Sequence, residues 1–165
     1  MITSAFIFDL DGTLIDLPVN YSALFSDFKQ IMGLEEVRPI LKTVAEIKDP
    51  IIRKRVFDTW ERYEMQVVQR TIYHEEGIRI YRAHLDRPKA LVTMQGKKTA
   101  KTIIDKFKLD FKVFLTREDS FNRAEQLKIA AQKLNVPLKN ILFIGNMDND
   151  AEAAKIAGCQ FKLVK

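Results

Sequence analysis

Short, continuously apolar segments alternate with amphipathic segments over the second half of the chain. The apolar segments are four or five residues long, which is typical of strands buried on both faces of a parallel sheet. Together with one at the N-terminus they predict five strands, at 5–8, 89–93, 111–115, 141–144 and 160–164. Apolar residues at helical spacing predict three helices, at 97–107, 122–134 and 148–157. The pattern therefore predicts an α/β fold with a five-stranded parallel sheet covered by helices.

The segment between the first two predicted strands shows a different pattern. It contains no strand signal, and its apolar residues predict four helices, at 21–32, 37–47, 51–72 and 75–85. A connection between parallel strands usually needs a single helix, so four helices are too many for one crossover. We therefore expect a core domain formed by residues 1–16 and 86–165, and a small all-helical cap domain formed by residues 17–85. The alternative is that the four helices simply cover the sheet.

Polar side chains follow the predicted strands at their carboxyl ends. Asp9 and Asp11 come after the first strand, Thr93 ends the second, Thr116 follows the third, and residues 146–150 follow the fourth. Open parallel sheets place their working groups at the carboxyl ends of the strands. We therefore expect these side chains to lie in one site.

The acid pair after the first strand indicates a reaction in which the two carboxylates have different roles. Asp9 can attack an electrophile as a covalent nucleophile while Asp11 transfers protons. Adjacent anions need positive charge, which suggests Mg²⁺, and such a metal would also neutralise the oxygens of a phosphate ester. Gly12 allows a sharp turn whose N–H groups can bind phosphate. The alternative is an Asp-Gly turn with two solvated carboxylates.

The stretch FDLDGTL, at residues 8–14, resembles the first signature of the haloacid dehalogenase superfamily, an Asp-x-Asp-Gly-Thr motif after an apolar strand. The resemblance covers essentially the whole chain and is closest in kind to phosphoglycolate phosphatases. It implies a Rossmann-like three-layer core, with strand order 5-4-1-2-3 and a helical cap inserted after the first strand. It also implies that Asp9 forms an aspartyl-phosphate and that Asp11 is the general acid and base. Because members that break carbon–halogen bonds lack the second acid, Asp11 implies phosphate chemistry.

The resemblance assigns further residues to phosphate and metal binding. Thr93 and Met94, after the second strand, match the positions that contact the transferring phosphoryl group. The implied cofactor is Mg²⁺, and the implied ligands are Asp9, the backbone carbonyl of Asp11, Asn146 and Asp150. The alternative for Thr93 is that its hydroxyl caps the end of the strand.

Two positions depart from the family pattern. The usual lysine before the fourth strand is missing; Arg123 is the best-placed cation, and Lys128 is an alternative further along the helix. Arginine can contact phosphoryl oxygens through two nitrogens. Asn146 replaces the first acid of the fourth signature, with Asp148 as a nearby acid that could restore the charge and Asp150 as the second acid. Alternatively, Arg123 is solvated, and the two aspartates only cap a helix.

We expect a Mg²⁺-dependent phosphatase that hydrolyses a small phosphomonoester through an aspartyl-phosphate. The departures at Asn146 and Arg123 motivate an alternative, a degenerate family member that binds a phosphorylated ligand or partner with little or no turnover. The intact Asp9, Asp11 and Thr93 argue against this alternative. A sugar-phosphate mutase is a third interpretation, which Thr13 disfavours because the mutases that the chain resembles have an apolar residue there. The cap is expected to select the substrate, and Trp60 is expected in the apolar core of the cap helices. Candidate contacts from the cap are Asn20, Tyr21, Arg53, Arg79 and Arg82.

Composition and charge exclude some classes of protein. The chain has 165 residues and a net charge of +5, with basic residues scattered along it, whereas nucleic-acid binding usually concentrates them. A small anionic partner is therefore expected, rather than nucleic acid. No segment approaches the roughly 20 apolar residues of a membrane span, and no signal peptide is recognised, so a cytoplasmic location is expected. Cys159 is the one cysteine, which excludes an internal disulfide. The composition does not predict the oligomeric state.

Overall fold

The computed structural model describes residues 2–165, which form seven strands and seven α-helices. The strands are β1 (Ala5–Phe8), β2 (Ile15–Asp16), β3 (Ile72–Tyr73), β4 (Lys89–Val92), β5 (Val113–Leu115), β6 (Ile141–Gly145) and β7 (Gln160–Leu163). The helices are α1 (Tyr21–Met32), α2 (Ile40–Ala45), α3 (Pro50–Val67), α4 (Glu75–Ala83), α5 (Lys97–Phe107), α6 (Arg123–Leu134) and α7 (Asp148–Ala157). Across the described range, the helices are all too short or too polar to cross a membrane.

Five strands form a parallel sheet in the order β5-β4-β1-β6-β7. These labels differ from the predicted order because β2 and β3, which lie outside this sheet, are also counted. When the strands of this sheet alone are numbered along the chain, the order from the β7 edge is 5-4-1-2-3. All four residues of β1 are buried, because this central strand is covered on both faces, and this accounts for its unbroken apolar sequence.

Helices cover both faces of this sheet and make three layers. On one face, Ile7 of β1 and Phe143 of β6 belong to an apolar cluster with Leu127 of α6 and Ala154 of α7. On the other face, Phe8 of β1 and Leu91 of β4 belong to a second cluster, which includes residues of α4 and α5. The predicted α/β architecture is therefore confirmed at the level of its sheet and covering helices.

The helices α1, α2 and α3 have an apolar core of their own, which contains Leu24, Phe28, Val44, Val56 and Trp60. Trp60 packs edge-on against Phe28 with 5.6 Å between the ring centroids. The division of the chain into a core domain and a cap domain of residues 17–85 stays a prediction.

Two features of the inserted segment differ from the prediction of an all-helical cap. β3 pairs antiparallel with β2, with Ile15 opposite Tyr73, and the pattern misses it because both residues of β3 are exposed. In addition, α4 packs on the sheet: Tyr81 contacts Phe8 with 5.8 Å between ring centroids. The periodicity of α4 predicts an apolar face but does not indicate which surface that face covers.

Candidate active site

Asp9 lies at the carboxyl end of the central strand. Its backbone N–H donates to the carbonyl of Ile144 at 3.0 Å, so the hydrogen bonding between β1 and β6 continues up to this residue. Its side chain is buried, and burial raises the pKa of Asp9 to about 7; Arg123 opposes this rise, and Asp150 adds to it. The fold thus holds a carboxylate in a poorly solvated position that needs compensating positive charge.

The turn after β1 brings Asp11 back toward the same site. Gly12 has a φ of 74°, and a Cβ there would lie 2.2 Å from Nδ2 of Asn146. Glycine is required because this left-handed turn passes directly against the end of β6. The Leu17 N–H donates to Oδ1 of Asp11 at 2.8 Å. Burial raises the pKa of Asp11 to about 6, although the hydrogen bond from Leu17 lowers it.

Arg123 joins the acids that follow β1 and β6. Its Nη2 lies 2.9 Å from Oδ1 of Asp9, and its Nε lies 3.2 Å from Oδ1 of Asp150. Its third nitrogen, Nη1, donates to Oε1 of Gln126 at 3.1 Å. Lys128 is exposed and lines a separate surface groove. The structure therefore brings Arg123, and not Lys128, to the acid pair.

The segment after β6 contributes Asn146 and Asp150. Oδ1 of Asn146 lies 3.5 Å from the Thr13 hydroxyl. Asp150 is buried, and its Oδ2 accepts the Met147 N–H at 3.2 Å, so Asp150 caps α7 and also pairs with Arg123. Asp148 is exposed and does not line the cavity at this site, so the extra acid lies apart from the position of Asn146.

A cavity of about 340 Å³ lies between the carboxyl ends of the strands and the helices α1, α2 and α3. All the predicted site residues except Thr93 line it: Asp9, Asp11, Met94, Arg123, Asn146 and Asp150. From the inserted helices it is lined by Tyr21, Ile40, Leu41 and Trp60. Tyr21 was among the candidate contacts, whereas Ile40 and Leu41 were not. Trp60 both belongs to the predicted core and lines the cavity.

Thr93 is predicted to contact the phosphoryl group; this contact stays a prediction, and the Thr93 side chain does not line the cavity. It is fully buried, its hydroxyl donates to Oε1 of Gln95 at 2.5 Å, and the Gln95 N–H donates to the Thr93 hydroxyl at 3.2 Å. Gln95, which lines the cavity, was missed by the sequence reasoning. The available signal was its position two residues after the strand predicted at 89–93, because polar side chains after the carboxyl ends of strands face the site.

Gln126 is a second missed residue, and it fixes the loops around the site. It is fully buried, and its Nε2 lies 3.1 Å from the carbonyl oxygen of Thr93, 3.0 Å from that of Thr116 and 3.0 Å from that of Ser120. One amide group therefore connects the ends of β4 and β5 to α6. Since its Oε1 accepts from Arg123, Gln126 also orients the cation of the site.

A buried ion pair connects α3 to the loops that follow β4 and β5. Glu64 of α3 pairs with Nη1 of Arg117, and both side chains are almost fully buried. Glu64 also accepts the Gly96 N–H at 3.0 Å, and Arg117 donates to the carbonyl of Met94 at 3.2 Å. The Arg117 guanidinium lies 4.3 Å from the centre of the Trp60 ring. These contacts hold the cavity-lining Met94 and Trp60 in place.

The donor set of the site can be compared with the needs of a divalent cation. Residues 2–165 contain no cluster of three or more His, Cys, Asp or Glu side chains in a metal-binding arrangement. At this site Asp9 and Asp150 supply two carboxylates, and Asn146 supplies a neutral oxygen. The pKa of Asp9 stays raised despite Arg123, so a further cation would stabilise the charged form. An oxygen donor set of this kind fits Mg²⁺, with one carboxylate fewer than the family pattern.

Comparison with known proteins identifies the family. Residues 6–164 match the family described as haloacid dehalogenase-like hydrolase. The chain therefore belongs to the haloacid dehalogenase-like hydrolases, which confirms the resemblance seen in its sequence.

Individual relatives agree with this membership. The chain is 25% identical over 199 residues to a phosphoglycolate phosphatase from Shigella dysenteriae, and the alignment covers 92% of this chain and 77% of the relative. A hydrolase structure from Pseudomonas syringae is similar with a TM-score of 0.75 and 19% identity, covering 96% of this chain and 83% of the other. CbbY from Rhodobacter sphaeroides, in complex with phosphate, is similar with a TM-score of 0.72 and 16% identity, covering 97% and 85%. At these identities the structural likeness shows the fold.

Proposed function

We propose that the protein is a Mg²⁺-dependent phosphatase that hydrolyses a small phosphomonoester through a phosphoryl group carried on Asp9. The observation that supports this most is the setting of Asp9, a buried carboxylate at the end of the central strand with a guanidinium 2.9 Å from one oxygen. Its other oxygen, Oδ2, lies 3.5 Å from the Thr13 hydroxyl, a contact too long to hold it firmly. Oδ2 is therefore available for attack on phosphorus.

The proposed reaction has two steps, and each residue of the site has a role in them. In the first, Asp9 attacks phosphorus, the bond between phosphorus and the leaving oxygen breaks, and Asp11 gives that oxygen a proton. In the second, Asp11 takes a proton from a water molecule, which attacks the aspartyl-phosphate, releases inorganic phosphate and restores Asp9. Arg123 stabilises the negative charge of the phosphoryl oxygens in both steps.

Mg²⁺, when bound, supplies further neutralisation of the phosphoryl oxygens. In the proposed site it is held by Asp9, the backbone carbonyl of Asp11, Asn146 and Asp150. Thr93, whose hydroxyl is bonded to Gln95, supports the loop at residues 94–96 in this proposal. The loop lines the cavity through Met94 and Gln95.

The relatives support phosphate chemistry. One is named as a phosphoglycolate phosphatase, and one similar structure is described as a complex with phosphate. The proposed partner is a small phosphorylated metabolite, because the cavity is small and the basic residues are scattered over the chain. Nucleic acid and membrane surfaces are not proposed as partners.

The test is release of inorganic phosphate from p-nitrophenyl phosphate over a Mg²⁺ titration, with the Asp9→Asn variant measured in parallel. We expect Mg²⁺-dependent release that falls by about 1,000-fold or more in Asp9→Asn, since the nucleophile is lost. The control variant is Asp86→Asn, which makes the same change at an exposed acid outside the cavity and should keep the rate. Mass spectrometry of acid-quenched reactions should find the phosphoryl group on Asp9. Equal release by the wild type and Asp9→Asn at every Mg²⁺ concentration would contradict the proposal.

A further inference from the structure

The cavity has two chemically different ends. The end at the sheet contains the charged residues, namely Asp9, Asp11, Arg123 and Asp150. The end formed by the inserted helices contains Tyr21, Ile40, Leu41 and Trp60, which carry no charge at neutral pH. A bound phosphomonoester would place its phosphoryl group at the charged end and its leaving group against the helices.

The distribution of cations in the cavity is uneven. Within residues 2–165, Arg123 is the one cationic side chain that lines it. Its guanidinium already pairs with Asp9 and Asp150, at the end where the phosphoryl group belongs. A carboxylate on the leaving group would therefore meet no cation at the helical end.

Two arginines of the elements around the cavity do not fill this gap. Arg117 is fully buried, pairs with Glu64 and lies against the Trp60 ring, and it does not line the cavity. Arg53 lines a separate groove and stacks over Phe121, with its Cζ 5.8 Å from the ring centre. Neither side chain therefore places its positive charge in the cavity.

Tyr21 adds no positive charge to the helical end. Partial burial and the charges of Asp11 and Glu64 raise the pKa of the Tyr21 hydroxyl, whereas Gln95 and Arg117 lower it. The hydroxyl stays neutral, so it can offer a carboxylate one hydrogen bond but no ion pair. Half-buried Ile40 and Leu41 complete an apolar surface there.

Building on the proposed phosphatase activity, we propose that the substrate is a phosphomonoester whose leaving group is uncharged and largely apolar. The helical end of the cavity selects it by apolar contact and by the absence of a cation that could pair with a carboxylate there. A carboxylate buried against such a surface loses hydration without gaining an ion pair, which is unfavourable. The chain is thereby expected to differ in preference from the relatives that are named for phosphoglycolate.

The test uses two esters that differ by one carboxylate, benzyl phosphate and 4-carboxybenzyl phosphate, together with phosphoglycolate. The methylene group keeps the leaving oxygens of the two benzyl esters electronically similar. We expect kcat/KM to be at least about tenfold higher for benzyl phosphate than for either carboxylate-bearing ester. Equal values, or a preference for a carboxylate, would overturn the inference and leave the phosphatase activity standing.

Binding of the two matching non-hydrolysable phosphonates, measured by calorimetry, separates this inference from the proposed function. If the wild type released no more phosphate than Asp9→Asn from any of the three esters, the proposed phosphatase activity would be contradicted. The ratio of the two phosphonate dissociation constants would still decide whether the cavity prefers an uncharged leaving group. A ratio of at least about ten in favour of benzylphosphonate supports the inference. A ratio near one, or binding of neither phosphonate, overturns it.

A charge introduced at the helical end should change this preference. Leu41→Arg places a cation in the cavity lining, so we expect the ratio between the two phosphonates to fall by about tenfold. Ile51→Arg makes the same kind of change at an exposed position outside the cavity and should leave the ratio as in the wild type. Equal ratios in Leu41→Arg and the wild type would contradict the placement of the leaving group.

Discussion

Gly12 couples the turn that carries Asp11 to the position of Asn146. In Gly12→Ala the new Cβ would overlap the Asn146 side chain, which can rotate away. We expect the free energy of unfolding to fall by about 1–2 kcal/mol, the cost of a left-handed alanine, and the Mg²⁺ concentration needed for phosphate release to rise. Denaturant titration and Mg²⁺-dependent assays measure the two effects.

Gly33→Ala is the matched control, because Gly33 has a φ of 65° and open space around its Cβ position. It should show the same loss of stability with an unchanged Mg²⁺ response. If both variants kept the wild-type Mg²⁺ response, the contact between the turn and Asn146 would have no role in the site.

Asn146 provides the second prediction at this scale. Asn146→Asp restores the carboxylate of the family pattern, so the Mg²⁺ concentration for half-maximal activity should fall by about tenfold or more. Thermal unfolding with and without Mg²⁺ should also show a larger stabilisation by the metal than in the wild type. Asn149→Asp, which adds the same charge at a nearby lining residue, should change both quantities less. An unaltered metal response in Asn146→Asp would place residue 146 away from the metal.

The individual site residues were predictable to different degrees. Asp9, Asp11 and Asp150 were found because acids at strand ends are unusual and match a known motif. Gln126 was missed because a glutamine within an amphipathic helix is usually solvated. Its role depends on the carbonyls of Thr93, Thr116 and Ser120, which lie 33, 10 and 6 residues away in sequence, and helical periodicity does not reveal contacts with such loops.

At the scale of elements, α3 depends on the buried pair of Glu64 and Arg117 for its attachment to the sheet loops. In Glu64→Ala the Arg117 charge stays buried without its partner, so we expect the free energy of unfolding to fall by about 3–5 kcal/mol. Asp58→Ala removes the exposed partner of Lys54 on the same helix and should cost under about 0.5 kcal/mol. Equilibrium unfolding in urea measures both values.

A double variant checks that the cost comes from an unpaired buried charge. Glu64→Leu combined with Arg117→Met removes both charges and should be less destabilised than Glu64→Leu alone. If the double variant instead lost the sum of the two single effects, the two side chains would not act as a pair.

The elements themselves were largely predictable, and their partners were not. The helices from α5 to α7 begin and end within a residue of the predicted bounds, because their periodicity and caps are local signals. The prediction for 51–72 continued past the end of α3 at Val67, since the exposed β3 has no alternation of apolar and polar residues. Pairing in this ribbon depends on Ile15 and Asp16, more than fifty residues away.

At the scale of the whole molecule, we expect the helices α1, α2 and α3 to unfold together with the sheet. Trp60 is the one tryptophan of the chain and lies in the separate core of these helices. Because the Glu64–Arg117 pair joins this core to the sheet loops, we expect tryptophan fluorescence and far-ultraviolet circular dichroism to give coincident unfolding transitions. In Glu64→Ala the fluorescence transition should come first. Separate transitions in the wild type would contradict this coupling.

The contacts of Arg123 also limit how this site can change by substitution. Its three nitrogens meet three different side chains, Asp9, Asp150 and Gln126, whereas a lysine has a single nitrogen and no fixed fork. Restoring the lysine of the family pattern at position 123 would leave Oε1 of buried Gln126 without its donor. Positions 123 and 126 are therefore coupled: a lysine at position 123 calls for a compensating substitution of Gln126.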